Sequence, residues 1–205
     1  RSEQAYTPRR AQSCGITSRM DLSDPLTRAA HHERVLQLFN ELASIVSLER
    51  LLHRIVEAAA DLTDAEAAGL LLHDEKADVL RFVAASVYAD VLLDIPVPID
   101  RSIAGAAFTS GQPVVVNEVS ADPRHFKAIE EKVPLKARSL LAVPLQYLQR
   151  RVGVLEVENK RSGAPFDDND AVALQLLATQ ATVAIENARL IETLDRHRAH
   201  LEDLV

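Results

Sequence analysis

The 205-residue chain has a single cysteine, Cys14, a single methionine, Met20, no tryptophan, and aromatics at only 4%. One thiol near the N-terminus excludes an internal disulfide, a CxxC redox pair and a thiolate metal cluster within one chain. A reducing, cytoplasmic compartment is therefore expected. No uninterrupted apolar run approaches the roughly 18–20 residues of a membrane span, and the N-terminus lacks the apolar centre of a signal peptide, so no membrane contact by this chain is expected. There are six glycines and no GxSxG, P-loop or dinucleotide fingerprint, which leaves no phosphate-cradling loop. Long basic blocks are also missing. The net charge is −7 and the pI near 5.5, which argues against nucleic acid as a partner.

What is present suffices for one domain with flanking segments, since 47% of the residues are hydrophobic. Residues 1–24 are polar and aperiodic and contain Pro8 and Gly15, the composition of a flexible or linker segment. Over 25–46, Leu36, Phe39, Leu42, Ala43 and Val46 fall at helical spacings, and a second helix follows, with Ser47 as N-cap and Leu51, Leu52, Ile55, Val56, Ala59 and Leu62 on its buried face. The period then shortens. "AAGLLLHD" (67–74) and "VLRFVAAS" (79–86) read as a hairpin, a short helix is expected over 101–111, a strand over 113–117, and a loop and helix over 121–132. "RSLLAVPL" (138–145) is apolar on both faces, so cover on both sides is predicted. From Asp167 onward one long helix is expected, longer than a domain of this size buries.

These segments, in this order, resemble a GAF domain. "IDRSIAGAAFTSGQPVVVNEVSADPRHF" (99–126) is similar to that family's Gly-containing helix, strand and Asp-Pro-Arg loop, and "RSLLAVPL" followed by "GVLEVENK" is similar to its two central strands. The resemblance spans about residues 35–192. It implies an α+β fold in which a six-stranded antiparallel sheet has helices on both sides, with the domain at 47–192 and long N- and C-terminal helices in a dimer bundle. It also implies a non-catalytic sensory or regulatory module of a signal transduction protein, either a histidine kinase or a cyclic-dinucleotide enzyme, with an output domain following the C-terminus. The alternative is a ligand-free structural dimerisation module. Two branches of the family, the free methionine sulfoxide reductases and the bilin photoreceptors, depend on cysteines within the domain, and Cys14 lies in the tail.

The family's Asn-Lys, Phe, Asp-Glu signature corresponds here to Asn159, Lys160, Phe166 and Asp170, with Ala171 departing at the last acidic position. It implies a structural clasp: Lys160 leaving a strand pairs with Asp170 in the first helical turn, while Phe166 packs beneath. Asp167, Asp168 and Asp170 are what an N-cap and the helix dipole favour, and no metal site is assigned to them. A small-molecule effector is expected between the sheet and segments 99–110 and 119–133, with Ser102, Ile103, Phe108, Phe126, Ile129 and Ser139 as candidate wall residues. Cyclic nucleotide, small organic acid, haem and no ligand all stay open. Among the seven histidines there is no HExxH and no close three-ligand set, although the resemblance places His125 beside the cavity, where it would serve as an axial haem ligand.

In the last helix Leu177, Ala181, Ala184, Ala188 and Ile191 form a seam toward the domain. A second seam runs through Val183, Asn187, Leu190, Leu194, His197, Leu201 and Leu204 at spacings of four and three, a heptad stripe that predicts a homodimeric coil. Residues 193–205 are its free end, leading toward the output domain.

Overall fold

Leu51, Leu52, Ile55, Val56 and Ala59 recur every three or four residues, and Leu48–Leu62 is accordingly a helix, α1, with that stripe buried. The structure, a computed structural model, describes residues 48–202. The helix expected over 25–46, the Ser47 cap, Leu204 and the side chain of Leu201 lie outside the described residues.

Strands β1 (Ala65–Asp74) and β2 (Val79–Ala85) form the expected hairpin. Its turn is closed by Asp74 Oδ1, which accepts from the backbone N–H groups of Lys76 (3.1 Å) and Ala77 (3.2 Å). After a one-turn helix α2 (Ala89–Leu92) come β3 (Pro96–Pro98), α3 (Ile103–Ser110), β4 (Val114–Val116), a 3-10 turn at Val119–Ala121, β5 (Leu140–Tyr147), β6 (Arg150–Lys160) and α4 (Asp168–Glu202). The sheet has six strands, all antiparallel, in the order β3-β2-β1-β6-β5-β4.

The sheet has two apolar faces, as the sequence of β5 requires. Leu141, Val143 and Leu145 pack under α1 and α4, together with Leu155, Val157, Leu174 and Leu177. Leu140 and Ala142 face the other way, toward α3 and the segment that precedes β5, with Leu71, Val97, Ile103 and Val154. Gly105 allows α3 to sit close: a Cβ there would lie 2.0 Å from the carbonyl oxygen of Ile99. Any side chain would force α3 away from the connection that leads into it from β3.

Two expectations are corrected. Residues 121–132 form a chain of turns instead of a helix. Pro123 and Pro134 bracket the segment, and Asp122 Oδ1 accepts from the Arg124 backbone N–H (2.8 Å), a local bond that competes with helical ones. The hydrogen-bonded Arg124 side chain holds the Asp122 carboxyl down at about 2. In α4, Ile191 does not join the domain-facing seam. Leu177, Ala181 and Ile185 are buried there, whereas Leu190, Ile191 and Leu194 are all exposed.

Candidate functional site

β6 lies between β1 and β5 at the centre of the sheet, so its alternation decides what enters each core. Leu155 and Val157 point to the α1 and α4 side. Val154 faces the α3 side, and strand alternation puts Glu156 and Glu158 on that same face. Two carboxyls are thereby carried under α3 and the 119–137 segment, beside Val97, Phe126 and Leu135.

They line a cavity of about 40 Å³, together with Ser102, Ile103, His125 and Ile129, and a second of about 20 Å³ on the side of Gly69, Phe82 and Tyr88. Glu156 is 4% exposed. Burial, reinforced by the charge of Glu158, pushes the Glu156 carboxyl up to about 8, and burial with the charge of Glu130 pushes Glu158 up to about 7. Across the cavity, Glu130 Oε1 accepts from the Ala137 backbone N–H (3.0 Å) and lies 3.1 Å from His125 Nε2. Among the described residues no lysine or arginine lines either cavity.

Of the residues expected on the wall, Ser102, Ile103, Phe126 and Ile129 come together here. The Ser102 hydroxyl is committed to the start of α3, accepting from the Gly105 N–H (2.9 Å) and donating to the Pro98 carbonyl (2.5 Å). Phe108 lies elsewhere, at the far end of α3, its ring 4.8 Å from that of His73. Ser139 also lies off the cavity, its backbone carbonyl accepting from the Asn159 N–H (2.9 Å). A cavity of about 40 Å³ has no room for a haem beside His125. Sequence reasoning missed Glu156 and Glu158 as wall residues. The available signal was their i, i+2 spacing in phase with Val154, on a strand otherwise apolar on both faces.

The end of β6 anchors two other elements. Asn159 is fully buried with φ 55°, a conformation asparagine tolerates better than other residues with a Cβ. Its Oδ1 accepts from the backbone N–H groups of Arg138 (2.7 Å) and Ser139 (3.3 Å), and its Nδ2 donates to Glu66 Oε2 (2.9 Å) and the Lys136 carbonyl (3.0 Å). Lys160 Nζ reaches Asp170 Oδ2 at 2.5 Å, and the same oxygen accepts from the Asp167 N–H (2.9 Å). Asp167 Oδ1 in turn accepts from the N–H groups of Asn169 (2.9 Å) and Asp170 (3.0 Å). Phe166 is buried, and its backbone exchanges two hydrogen bonds with the Asn117 side chain (2.8 and 3.1 Å). Both partners of the Lys160–Asp170 pair are largely buried, so removing one leaves the other's charge poorly solvated and costs more than breaking a surface pair. Asp170→Ala is expected to lower stability by about 1–2 kcal/mol in urea unfolding, because it also orphans the Asp167 N–H.

On its outer face α4 exposes Leu176, Val183 and Leu190, spaced by seven, with Val172 and Leu194 four residues beyond either end. Asn187 and His197 are exposed on the same helix.

The GAF domain family profile matches residues 46–186. The dual 3',5'-cyclic-AMP and -GMP phosphodiesterase 11A of Takifugu rubripes is 28% identical over 189 residues, covering 84% of this chain and 21% of that protein. This chain spans about a fifth of the length of the curated relatives it matches. Among solved structures, free methionine-R-sulfoxide reductase from Neisseria meningitidis in complex with its substrate superposes with a TM-score of 0.67 at 26% identity, covering 80% of this chain and 92% of that one. The GAF domain of the Acinetobacter phosphoenolpyruvate-protein phosphotransferase superposes with a TM-score of 0.68 at 21% identity, covering 80% and 98%.

Proposed function

Because the chain belongs to the GAF domain family, we propose that it is a non-catalytic sensory or regulatory module that binds a small molecule and transmits its state through a dimeric C-terminal coil to an output domain. A histidine kinase or a cyclic-dinucleotide enzyme is the host we favour. One observation carries the reading: a single strand joins cavity to helix. β6 bears Glu156 and Glu158 on the cavity wall and two residues later ends in the Lys160 clasp on the first turn of α4. A ligand that displaces β6 by a fraction of an ångström moves the root of a helix whose outer stripe awaits a partner. Coupling requires that the ligand bind the two arrangements of that helix with different affinity.

The absence of any cysteine from 48–202 argues against thiol-based turnover of the kind a reductase requires. Analytical ultracentrifugation at tens of micromolar should give a dimer, and Leu190→Glu with Leu194→Glu should convert it to a folded monomer, because like charges would face each other along the stripe. A parent chain that is monomeric at that concentration would overturn the coil. Native and denatured mass spectrometry of the purified parent should then differ by a retained small molecule.

The small volume of the cavities, about 40 and 20 Å³, favours the second reading, a ligand-free dimerisation scaffold. Equal native and denatured protomer masses, together with no response to any added compound, would select it.

A further inference from the structure

Glu156 is 4% exposed, and neither its carboxyl nor that of Glu158 receives a hydrogen bond from any described residue. On the facing wall His125 Nδ1 is buried and also without a hydrogen-bond partner among the described residues. When Nε2 donates to Glu130 Oε1, Nδ1 presents a lone pair, so once Glu156 and Glu158 have lost their protons the walls offer acceptors and no matching donors among the described residues. A valine or leucine at either glutamate position would cost nothing in polar burial, whereas an unpartnered carboxyl does. An anionic ligand would meet Glu130, Glu156 and Glu158 with no lysine or arginine on the wall to receive it. An apolar ligand would leave the carboxyls as they are.

The geometry points to a small organic cation, an ammonium, amidinium or guanidinium group, whose N–H groups donate to Glu156 and Glu158, with its apolar part against Phe126, Ile129 and Leu135. This deepens the small-molecule reading above and rests on it. The two cavities flank the same pair of carboxyls, and their volumes of about 40 and 20 Å³ hold only a few waters, so the cationic head is compact. Charge-assisted bonds to two acceptors on one strand suit a planar, two-donor group such as guanidinium especially well.

The test is a titration of the full chain with methylguanidinium, ethylammonium and acetate, followed by calorimetry and by backbone amide shifts, from pH 6 to pH 8.5. One of the two cations should bind, with shifts centred on β6 and residues 125–137. Because both carboxyls must ionise first, its affinity should rise up to about a hundredfold per pH unit below the lower ionisation, about tenfold per unit between the two, and level off above the higher. Glu156→Gln and Glu158→Gln, close in size to the parent residue, should each weaken binding at least tenfold while leaving the fold unchanged by circular dichroism. Cation binding with shifts confined to the exposed acids, or indifferent to both variants, would overturn the assignment. Saturation of the same amides by acetate would overturn the cation while leaving the small-molecule reading standing. No response of the cavity amides to any of the three probes, or to a cyclic nucleotide, would remove both.

Discussion

Asn159→Ala is expected to destabilise the domain by about 3–5 kcal/mol, among the largest effects of any single truncation in this chain. The amide is a junction of four hydrogen bonds reaching Arg138, Ser139, Lys136 and Glu66, so it ties the entry to β5 and the start of β1 to the end of β6. Truncation strands two backbone N–H groups and one carbonyl, and alanine is strained at φ 55° where asparagine is tolerated. In thermal unfolding the loss should appear as a drop of about 10 °C, at ~2–4 °C per kcal/mol for a chain of this size. Asn159→Gly separates the two contributions, because glycine adopts the positive φ freely and should recover about 1 kcal/mol of the deficit. A change below about 1 kcal/mol for the alanine variant would show that water replaces the side chain and that the junction is not structural.

Stability should fall steadily as pH rises from 5 to 8.5, the reverse of what ordinary carboxylates do. In the unfolded chain Glu156 and Glu158 lose their protons near 4.5, whereas in the folded chain burial holds the protons to about 8 and about 7. Between those limits the native state binds more protons than the unfolded state, so each unit of pH removes up to ~1.4 kcal/mol per group. The stabilisation is complete below 4.5 and gone above about 8. Glu156 alone contributes on the order of 5 kcal/mol, a large part of a typical domain's stability. Below 4.5 the opposite set takes over. Arg124 holds Asp122 down at about 2, and Glu66, hydrogen-bonded to Arg138, is also lowered, so protonating them in strong acid costs stability. The groups facing the glutamate pair are Glu130, His125 and Tyr88. Urea midpoints of the parent should therefore peak near pH 5, and the double variant Glu156→Gln, Glu158→Gln should flatten the alkaline limb. A parent curve that stays flat from pH 5 to pH 8.5 would mean that both acids ionise in place, with water or a counterion beside them.

Both effects originate on one strand, and that strand shows how far sequence reasoning reached. That "GVLEVENK" is a central strand, and its Asn-Lys ending a clasp, was what the resemblance to the family implied. Its inward carboxyls were not recognised. A charged residue in a strand is normally solvated, and here α3 and the 119–137 segment cover the face that carries Glu156 and Glu158, while α1 and α4 cover the other. The irregular segment 121–137 was the other gap. It carries Phe126, Ile129 and Leu135 to the cavity through turns and prolines, and no period of two or of three to four marks them.

The sequence by itself determined a hairpin over 67–86 and one long helix from Asp167 onward. Each of these is specified by side-chain periods that hold within a few residues of chain. Only the tertiary structure decided which residues share a cavity. Ser102 belongs to it while Phe108 and Ser139 do not, and Glu156 and Glu158 stand on a wall for which only apolar side chains and hydroxyls were expected. The physical reason is that a cavity is made by contacts between residues far apart in the chain, such as Val97, His125 and Glu158. Their meeting is set by strand register and by the approach of α3 over Gly105, and neither is written in any local period.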